Sequence, residues 1–198
     1  MAFVNELFPN LKLIHGLQKS VVLPTSIVGN SSKEYRIRKL TNYRSQWVWP
    51  SRSMLAEDRE ALLQFYSEVA SFSLNSFKFK CPVDNQWNLT PLLYTGSANQ
   101  FYLTTRGTGG THPVYHLGGD IVVRNGATPV SYTQTVVNGN PVITVPGYTS
   151  NINISGTYYH AARFDQSTLG WTMEALASDN SSLIDSLGDI SLIEVFEY

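Results

Sequence analysis

The sequence is poor in charged residues and in cysteine. Asp, Glu, Lys and Arg make up 15% of its 198 residues, compared with about 25% in average soluble proteins. Low charge combined with many Thr, Ser, Asn, Gly and Tyr residues favours β structure, because the solvated faces of helices usually carry charged side chains. Cys81 is the single cysteine, which excludes a disulfide framework and a zinc site built from cysteines.

The sequence also lacks long apolar runs and an excess of basic charge. No stretch reaches the roughly 20 apolar residues of a membrane-spanning helix, and the N-terminal residues lack the pattern of a secretory leader. We therefore expect no membrane span, and synthesis and folding in a cytosol. The formal net charge is −1, whereas a free-standing nucleic-acid-binding protein usually presents a basic surface.

The few charges are distributed unevenly along the chain. Residues 1–163 contain all fourteen Lys and Arg residues and eight acids, whereas residues 164–198 contain seven acids and no base. Two interpretations remain open. The acidic end forms a solvated surface, or it complements basic surfaces on other copies of the chain and guides self-assembly.

Alternating polar and apolar residues predict a mainly β fold. Period two is typical of half-buried strands, and it occurs within 33–49, where Trp47 and Trp49 share one face. That face suits either the core or a platform on which a sugar ring stacks, and burial is the favoured alternative. Further strands are predicted at 76–82, 157–164, 169–175 and 189–197, with a loop or a single helical turn between the last two.

One amphipathic helix is predicted over 54–70. Ser53 is placed to cap its N-terminus, and acidic residues follow in the first turns, where they favour the positive end of the helix dipole. The apolar stripe of such a helix requires a larger surface to pack on, which we take to be the sheet. The helix belongs to a main β domain predicted for residues 1–96 plus 156–198.

Residues 97–155 are predicted to be an inserted small β subdomain. The dipeptides Asn125-Gly126 and Asn138-Gly139 separate strand-like runs there. Asn-Gly readily adopts the pair of positive φ angles that a tight hairpin needs. Charged side chains are rare in this segment: Arg106, Asp120 and Arg124.

The segment TYYHAARFDQ, 157–166, brings together residues that could form either a catalytic cluster or a scaffold strand. Neighbouring side chains of a strand point to opposite faces, so His160 lies on the opposite face from Arg163 and Asp165. This phase excludes a direct relay between His160 and Asp165, and we interpret the segment as a scaffold strand. A pairing of Arg163 with Asp165, or with a neighbouring chain, stays open.

Other candidate sites are weak. His112 and His116 have the spacing of a metal-binding pair on a helix, but Pro113 opposes a helix there, and in a strand the two positions lie about 13 Å apart. Residues 106–111, RGTGGT, resemble a phosphate loop only in their glycines. Cys81 is interpreted as an inert packing residue. We therefore predict that the protein is not an enzyme, with no catalytic, cofactor-binding or metal-binding residue and no cofactor.

Motifs from both ends of the chain occur together in a familiar order. The N-terminal part contains, in order, LFPNLKLIHGLQKSVVLPTSIV (7–28), a Tyr/Arg-rich strand, an acidic-capped helix and SFKFKCPVDNQW. The C-terminal part contains Arg163-Phe164-Asp165, then an alternating strand, and it ends with the strand that includes Leu192-Ile193-Glu194-Val195. This order resembles the distal tail proteins of long-tailed bacteriophages and gene transfer agents. Two positions depart from it: Gln166 replaces a usual second acid, and Ser71-Phe72-Ser73 replaces a usual Gly-rich helix end.

The resemblance implies a tail-tube-like β-barrel or sandwich with one flanking α-helix and an inserted small β subdomain. It implies a homo-hexameric ring at the virion tail tip that joins the tail tube protein to the baseplate hub protein and lets DNA pass without sequence-specific binding. The insertion would point outward, towards side-fibre or receptor-binding proteins, and the tape measure protein is a further expected partner. The resemblance implies no enzymatic activity and no cofactor.

Two hypotheses about the ring and two alternative functions follow. Because basic walls would hold DNA phosphates, the acidic residues 164–198, including Glu194 and Glu197, are expected at the lumen or the subunit seam. Arg163 and Asp165 are expected to fix a corner or a subunit contact.

The alternative function is a carbohydrate-binding β-sandwich module involved in receptor binding, which predicts an exposed row of Trp and Tyr. A small hydrolase would instead need a His–acid pair about 3 Å from a nucleophile.

Overall fold

The computed structural model shows a mainly β protein with open sheets and, among the residues it describes, one helix. The fold class predicted from the composition and from the period-two patterns is thereby confirmed. The structure describes residues 2–11, 17–22, 25–30, 33–38, 44–50, 52–97, 99–105, 112–166, 169, 171–176 and 183–195.

The described elements follow one another along the chain. They are β1 (Phe3–Leu7), β2 (Gln18–Val22), β3 (Thr25–Asn30), β4 (Lys33–Arg38), β5 (Arg44–Trp49), β6 (Arg52–Leu55), α1 (Ala56–Gln64), β7 (Ser76–Phe79), β8 (Gln86–Pro91), β9 (Gln100–Tyr102), β10 (His116–Leu117), β11 (Val122–Asn125), β12 (Thr128–Pro129), β13 (Thr133–Val137), β14 (Asn140–Thr144), β15 (Ile152–Phe164), β16 (Trp171–Leu176), β17 (Leu183–Leu187) and β18 (Ile190–Glu194). Helix α1 continues as a π-helical turn over Phe65–Val69.

The chain divides into two compact units. The first comprises residues 1–78 and 162–195, and the second contains residues 79–161. The division predicted from composition, 1–96 plus 156–198 with an insertion at 97–155, stays a prediction. In the second unit β8 pairs with β15, so the unit includes a strand that precedes the Gly- and Thr-rich segment.

The sheet of the first unit has the strand order β1-β7-β15-β18-β5-β2. Strands β1 and β7 are parallel, whereas β18 pairs antiparallel with both β15 and β5. The predicted alternation is confirmed in β5, where Ser45, Trp47 and Trp49 are buried and the residues between them are half-buried. Strand β5 ends directly before Pro50, as the sequence predicts.

An aromatic core fills this unit. The ring of Phe8 stacks on that of Trp49 with centroids 5.9 Å apart. Phe65 from the helical segment meets the edge of Phe77 at 4.8 Å, and Phe164 lies 5.4 Å from Phe77. Such aromatic pairs contribute about 0.5–1.5 kcal/mol each beyond the burial of their area, so the helical segment is held by its buried aromatic face.

The predicted start of the helix is wrong. Ser53 and Met54 lie in strand β6, where Ser53 pairs with Ser186 and Met54 with Asp185 of β17. Ser53 therefore does not cap the helix, which begins at Ala56. The strand partner is more than a hundred residues away in sequence, so a local helical pattern could not reveal it.

The loop or helical turn predicted before the last strand is also corrected. Leu183–Leu187 forms strand β17, which pairs antiparallel with β16 and with β6. Strand β15 begins at Ile152, five residues earlier than predicted. The remaining predicted strands at the C-terminal end are confirmed as β16 and β18, each shorter than expected.

In the second unit, strands β8, β10 and β11 pair with the Ile152–Ala161 part of β15. A separate sheet has the order β13-β14-β9. The core of the unit is apolar and aromatic: Trp87, Leu92, Phe101, Leu103, Val114, Val123, Ile143, Val145, Ile152, Ile154 and Tyr158.

The two predicted hairpins form by different means. Asn138 and Gly139 have φ angles of 50° and 75° and connect Val137 to Asn140 of the next strand, which is the predicted turn. At the other site the two turn residues are Gly126 and Ala127, because Asn125 already pairs with Thr128. Only the glycine of that pair has a positive φ, 59°.

Candidate functional site: the polar groups of strand β15

In the second unit, two of the buried polar side chains of strand β15, those of Tyr158 and His160, contact Asp84. The hydroxyl of Tyr158 donates a short hydrogen bond to the Asp84 carboxylate. The Nε2 atom of His160 lies 2.9 Å from the main-chain carbonyl oxygen of Asp84. Because a carbonyl can only accept, the imidazole carries a proton on Nε2. These contacts fasten the turn that contains Asp84 to the strand.

Trp87 extends this network. Its ring lies 4.4 Å from the Tyr158 ring, and its Nε1–H donates to the carbonyl of Thr104 at 3.0 Å. The backbone N–H of Tyr158 donates to the carbonyl of Asn85 at 2.9 Å. The Tyr158 hydroxyl, the His160 Nε2 and the Trp87 Nε1 thus each have a protein partner, which is the condition under which buried polar networks stabilise a fold.

The arrangement differs from that of a hydrolytic triad. In such a triad a carboxylate orients the imidazole, whose other nitrogen accepts the proton of the nucleophile, but here Nε2 of His160 lies against a main-chain carbonyl. The Asp84 carboxylate in turn accepts from a phenol, Tyr158. These hydrogen bonds therefore hold the Asp84 turn against strand β15.

Arg163 and Asp165 lie at the other end of the segment, in the first unit. Among the residues that the structure describes, their side chains do not pair with each other. The Nη1 group of Arg163 donates to the carbonyl of Phe164 at 3.4 Å. The Asp165 carboxylate accepts from Nε2 of Gln46 at 3.1 Å. Arg163 is half-buried and Asp165 is exposed. Of the two predicted alternatives for Arg163, pairing with Asp165 or contact with a neighbouring chain, the second stays a prediction.

Glu194 lies in the core, which corrects the position expected for it. Its side chain is 2% exposed, and its Oε2 atom accepts a hydrogen bond from the backbone N–H of Ser45 at 2.8 Å. Ile190, Leu192 and Glu194 alternate with half-buried residues, so the strand phase turns this acid inward. A buried carboxylate cannot line a lumen or reach a subunit seam. Glu197 lies outside the described residues.

Asp120 forms a second polar centre that the sequence analysis missed. Its two carboxylate oxygens accept hydrogen bonds from the backbone N–H and the hydroxyl of Thr157, at 2.9 and 2.8 Å. These bonds favour the charged form and lower the pKa of Asp120 below its ordinary value.

Two glycines make room for the Asp120 turn. A Cβ atom added to Gly118 would lie 2.7 Å from Oδ1 of Asp120. A Cβ atom added to Gly156 would lie 2.7 Å from the main-chain carbonyl oxygen of Asp120. Gly156 also has a φ of 125°, which side-chain-bearing residues rarely adopt. The sequence signal was present as Gly118-Gly119-Asp120, a turn pattern, but the partner strand could not be read from it.

The structure also describes the positions of the other histidine and cysteine candidates. His112 and His116 are half-buried, and His116 belongs to a strand that pairs with Tyr159, so the predicted absence of a helix there is confirmed. Cys81 is fully buried, as expected of a packing residue. The glycine-rich segment 106–111 lies outside the described residues. Within the part of the chain that the structure describes, no group of His, Cys, Asp and Glu side chains is arranged to hold a metal ion.

Burial also decides the interpretation of the tryptophans. Trp47, Trp49 and Trp87 are 0%, 4% and 3% exposed, so the predicted burial of the β5 pair is confirmed and these three rings are not a sugar platform. No helix in the described ranges is long and apolar enough to cross a membrane.

Sequence comparisons give no relative from which a function could be transferred. No model of a known protein family matches the chain, and no curated protein is significantly similar to it.

Proposed function

We propose that the protein is a structural component of a bacteriophage tail, a distal tail ring that links the tail tube to the baseplate or tail-tip hub. The observation that carries this proposal is the pairing of the two C-terminal motifs. Arg163 pairs with Ile193, and Phe164 with Leu192, across β15 and β18. The two short motifs of the resemblance are thus neighbours in one sheet, although they are far apart in sequence.

The order of elements supports the same proposal. A Tyr/Arg-rich strand region, one helix, the Phe-rich strand β7 and a Pro/Asp turn follow one another before the Gly- and Thr-rich segment. Ser71, Phe72 and Ser73, which replace the Gly-rich helix end of the resemblance, have φ angles of 45°, 53° and 75°. Such angles favour glycine, so the backbone here has the form that the usual glycines would adopt.

The proposed protein acts by assembly. Copies would form a homo-hexameric ring at the virion tail tip, in contact with the tail tube protein, the hub protein and the tape measure protein, with side-fibre or receptor-binding proteins outside. DNA would pass through without sequence-specific binding. The buried polar groups of β15 then serve rigidity, because their hydrogen bonds fix turns to a central strand.

The experiment is a mass measurement of the full chain in solution, combined with electron microscopy of virions labelled with antibodies against it. We expect sixfold particles, or, where the ring forms only on its partner, label at the tail tip. A chain that stays monomeric and gives label elsewhere on the virion, or none, contradicts the proposal.

The alternative, a carbohydrate-binding β-sandwich, has less support. It predicts an exposed row of Trp and Tyr side chains, and the three tryptophans whose side chains are described are buried. Saturable binding of a glycan array by the monomeric chain would favour this alternative over the ring.

A further inference from the structure

Strand β13 is an open edge of the β13-β14-β9 sheet. Its five residues, Thr133–Val137, are all exposed. Val136 and Val137 are 55% and 37% exposed. A fully exposed edge strand is a template for pairing with another strand, and proteins commonly protect such edges with Lys, Pro or a bulge. Strand β13 has none of these, since its sequence is TQTVV and its register with β14 is unbroken.

The direction of the backbone groups follows from the register. The N–H of Leu103, which follows β9, donates to the carbonyl of Pro141 in β14 at 3.0 Å. The N–H of Val145, which follows β14, donates to the carbonyl of Asn99 at 2.8 Å, so the odd-numbered residues of β14 face β9. Hydrogen-bonding direction alternates along an antiparallel strand. The even-numbered residues of β14 therefore face β13.

The same alternation fixes the outer edge of β13. Its residues Thr133, Thr135 and Val137 pair with the even-numbered residues of β14, and they use their N–H and C=O groups in that ladder. Gln134 and Val136 therefore direct their backbone N–H and C=O groups outward. No other described strand pairs with that side.

We propose that β13 pairs antiparallel with β13 of a second copy of the chain, about a twofold axis at Thr135. Gln134 of one copy then faces Val136 of the other, and each of the two symmetric pairs forms two backbone hydrogen bonds. Thr135 faces its own counterpart, and Thr133 faces Val137. Thr–Thr pairs and pairs of β-branched residues are favourable cross-strand neighbours.

Charge favours a second copy as the occupant. No Lys, Arg, Asp or Glu lies between Arg124 and Arg163, so two copies of this edge meet without repulsion. The same absence gives a foreign partner no charge pattern to recognise, and charge patterns are a common source of specificity between different proteins. This pairing is isologous, and it is independent of the heterologous contacts of the proposed ring.

The test uses the full chain and a charge swap at the proposed axis. Thr135→Lys and Thr135→Glu each place two like charges opposite one another, and each should raise the dissociation constant of the pair roughly fivefold. An equimolar mixture of the two variants should restore association, because Lys then faces Glu. Thr149→Lys, at an exposed position outside the sheet, is the matched control and should associate like the wild type. Sedimentation equilibrium measures these four samples and the wild type.

A second pair of variants tests the backbone directly. Val136→Pro removes an outward N–H without touching the ladder to β14, and edge strands tolerate proline at such positions, so it should abolish pairing and leave the melting temperature nearly unchanged. Val136→Ala keeps the N–H and should still pair. A monomeric wild type, or pairing that survives both Val136→Pro and the single charge variants, overturns the proposal. Neither result affects the sixfold ring, whose mass is measured separately.

Discussion

The carboxylate of Glu194 accepts a hydrogen bond from the backbone N–H of Ser45 at 2.8 Å across 149 positions of the sequence. Both residues are buried, at 2% and 1% exposure. The bond joins strands β18 and β5, which are neighbours in the central sheet of the first unit. An acid that a linear reading of the chain assigns to a surface is thus part of the interior.

Removal of this carboxylate should destabilise the first unit. Glu194→Ala deletes the acceptor of the Ser45 N–H, and a buried donor without its acceptor costs about 1–3 kcal/mol. Glu194→Gln keeps an acceptor oxygen and should cost less. Urea unfolding measures the free energy, with Glu6→Ala, an exposed acid of the same unit, as the control. Equal losses for Glu194→Ala and Glu6→Ala would contradict the structural role.

Tyr158 and Asp84 should be energetically coupled. In a double-mutant cycle, Tyr158→Phe and Asp84→Ala remove the two partners of one hydrogen bond, and contacting residues typically show coupling of about 0.5–3 kcal/mol. The cycle of Tyr158→Phe with Glu6→Ala, in the other unit, should be additive. Thermal or urea unfolding supplies the free energies, and an additive Tyr158–Asp84 cycle would show that the contact does not stabilise the fold.

Sequence patterns predicted elements where the pattern was local. The alternation of Ser45, Trp47 and Trp49 placed one face of β5 in the core, and Asn138-Gly139 predicted a hairpin that forms as expected. Both signals depend on neighbouring residues only, through the strand period and the turn conformation.

Two of the missed features depend on distant partners. Ser53 looked like a helix cap but pairs with Ser186, and Asp120 bonds to Thr157, 37 positions away. Glu194 was expected at the lumen or the subunit seam because the acidic residues 164–198 were treated together, although its strand phase with Ile190 and Leu192 turns it inward. Long-range pairing therefore explains the first two cases, and the strand period explains the third.

Replacement of Ser73 by glycine should stabilise the protein. Ser73 has a φ of 75°, and a left-handed conformation costs a residue with a side chain about 1–2 kcal/mol. Glycine removes that strain, but it also raises the entropy of the unfolded chain, which costs about 0.4–1 kcal/mol. The net gain should therefore be up to about 1.5 kcal/mol. Ser131→Gly, at an exposed position without a positive φ, should destabilise. If the melting temperature of the Ser73→Gly variant is lower than that of the wild type, the positive φ of Ser73 does not strain the backbone.

Acid should weaken the Asp120 turn. The backbone and hydroxyl hydrogen bonds from Thr157 hold the pKa of Asp120 below its ordinary value of 3.8. The folded state therefore binds this proton less readily than the unfolded state. The resulting stability is present above about pH 4 and is lost as the pH falls through the folded-state pKa.

Asp120→Asn tests this pH dependence. The variant should be less stable than the wild type at neutral pH, and the difference should shrink as the pH falls below the ordinary Asp pKa. Unfolding midpoints measured from pH 7 to pH 2 give the two curves, with Asp189→Asn, an exposed aspartate, as the control. A constant difference across that range would mean that the charge of Asp120 does not contribute.

Arg163→Ala should impair assembly more than folding. The guanidinium is half-buried, and its described contact is a single hydrogen bond of 3.4 Å to the Phe164 carbonyl, so its loss should cost the isolated chain about 1 kcal/mol or less. An arginine at a subunit contact matters more, since truncation of such residues often costs over 2 kcal/mol of binding. Arg124→Ala, which removes a similar bond to the Ala127 carbonyl, is the matched control. If Arg163→Ala forms particles of wild-type mass at wild-type concentrations, Arg163 has no part in the subunit contact.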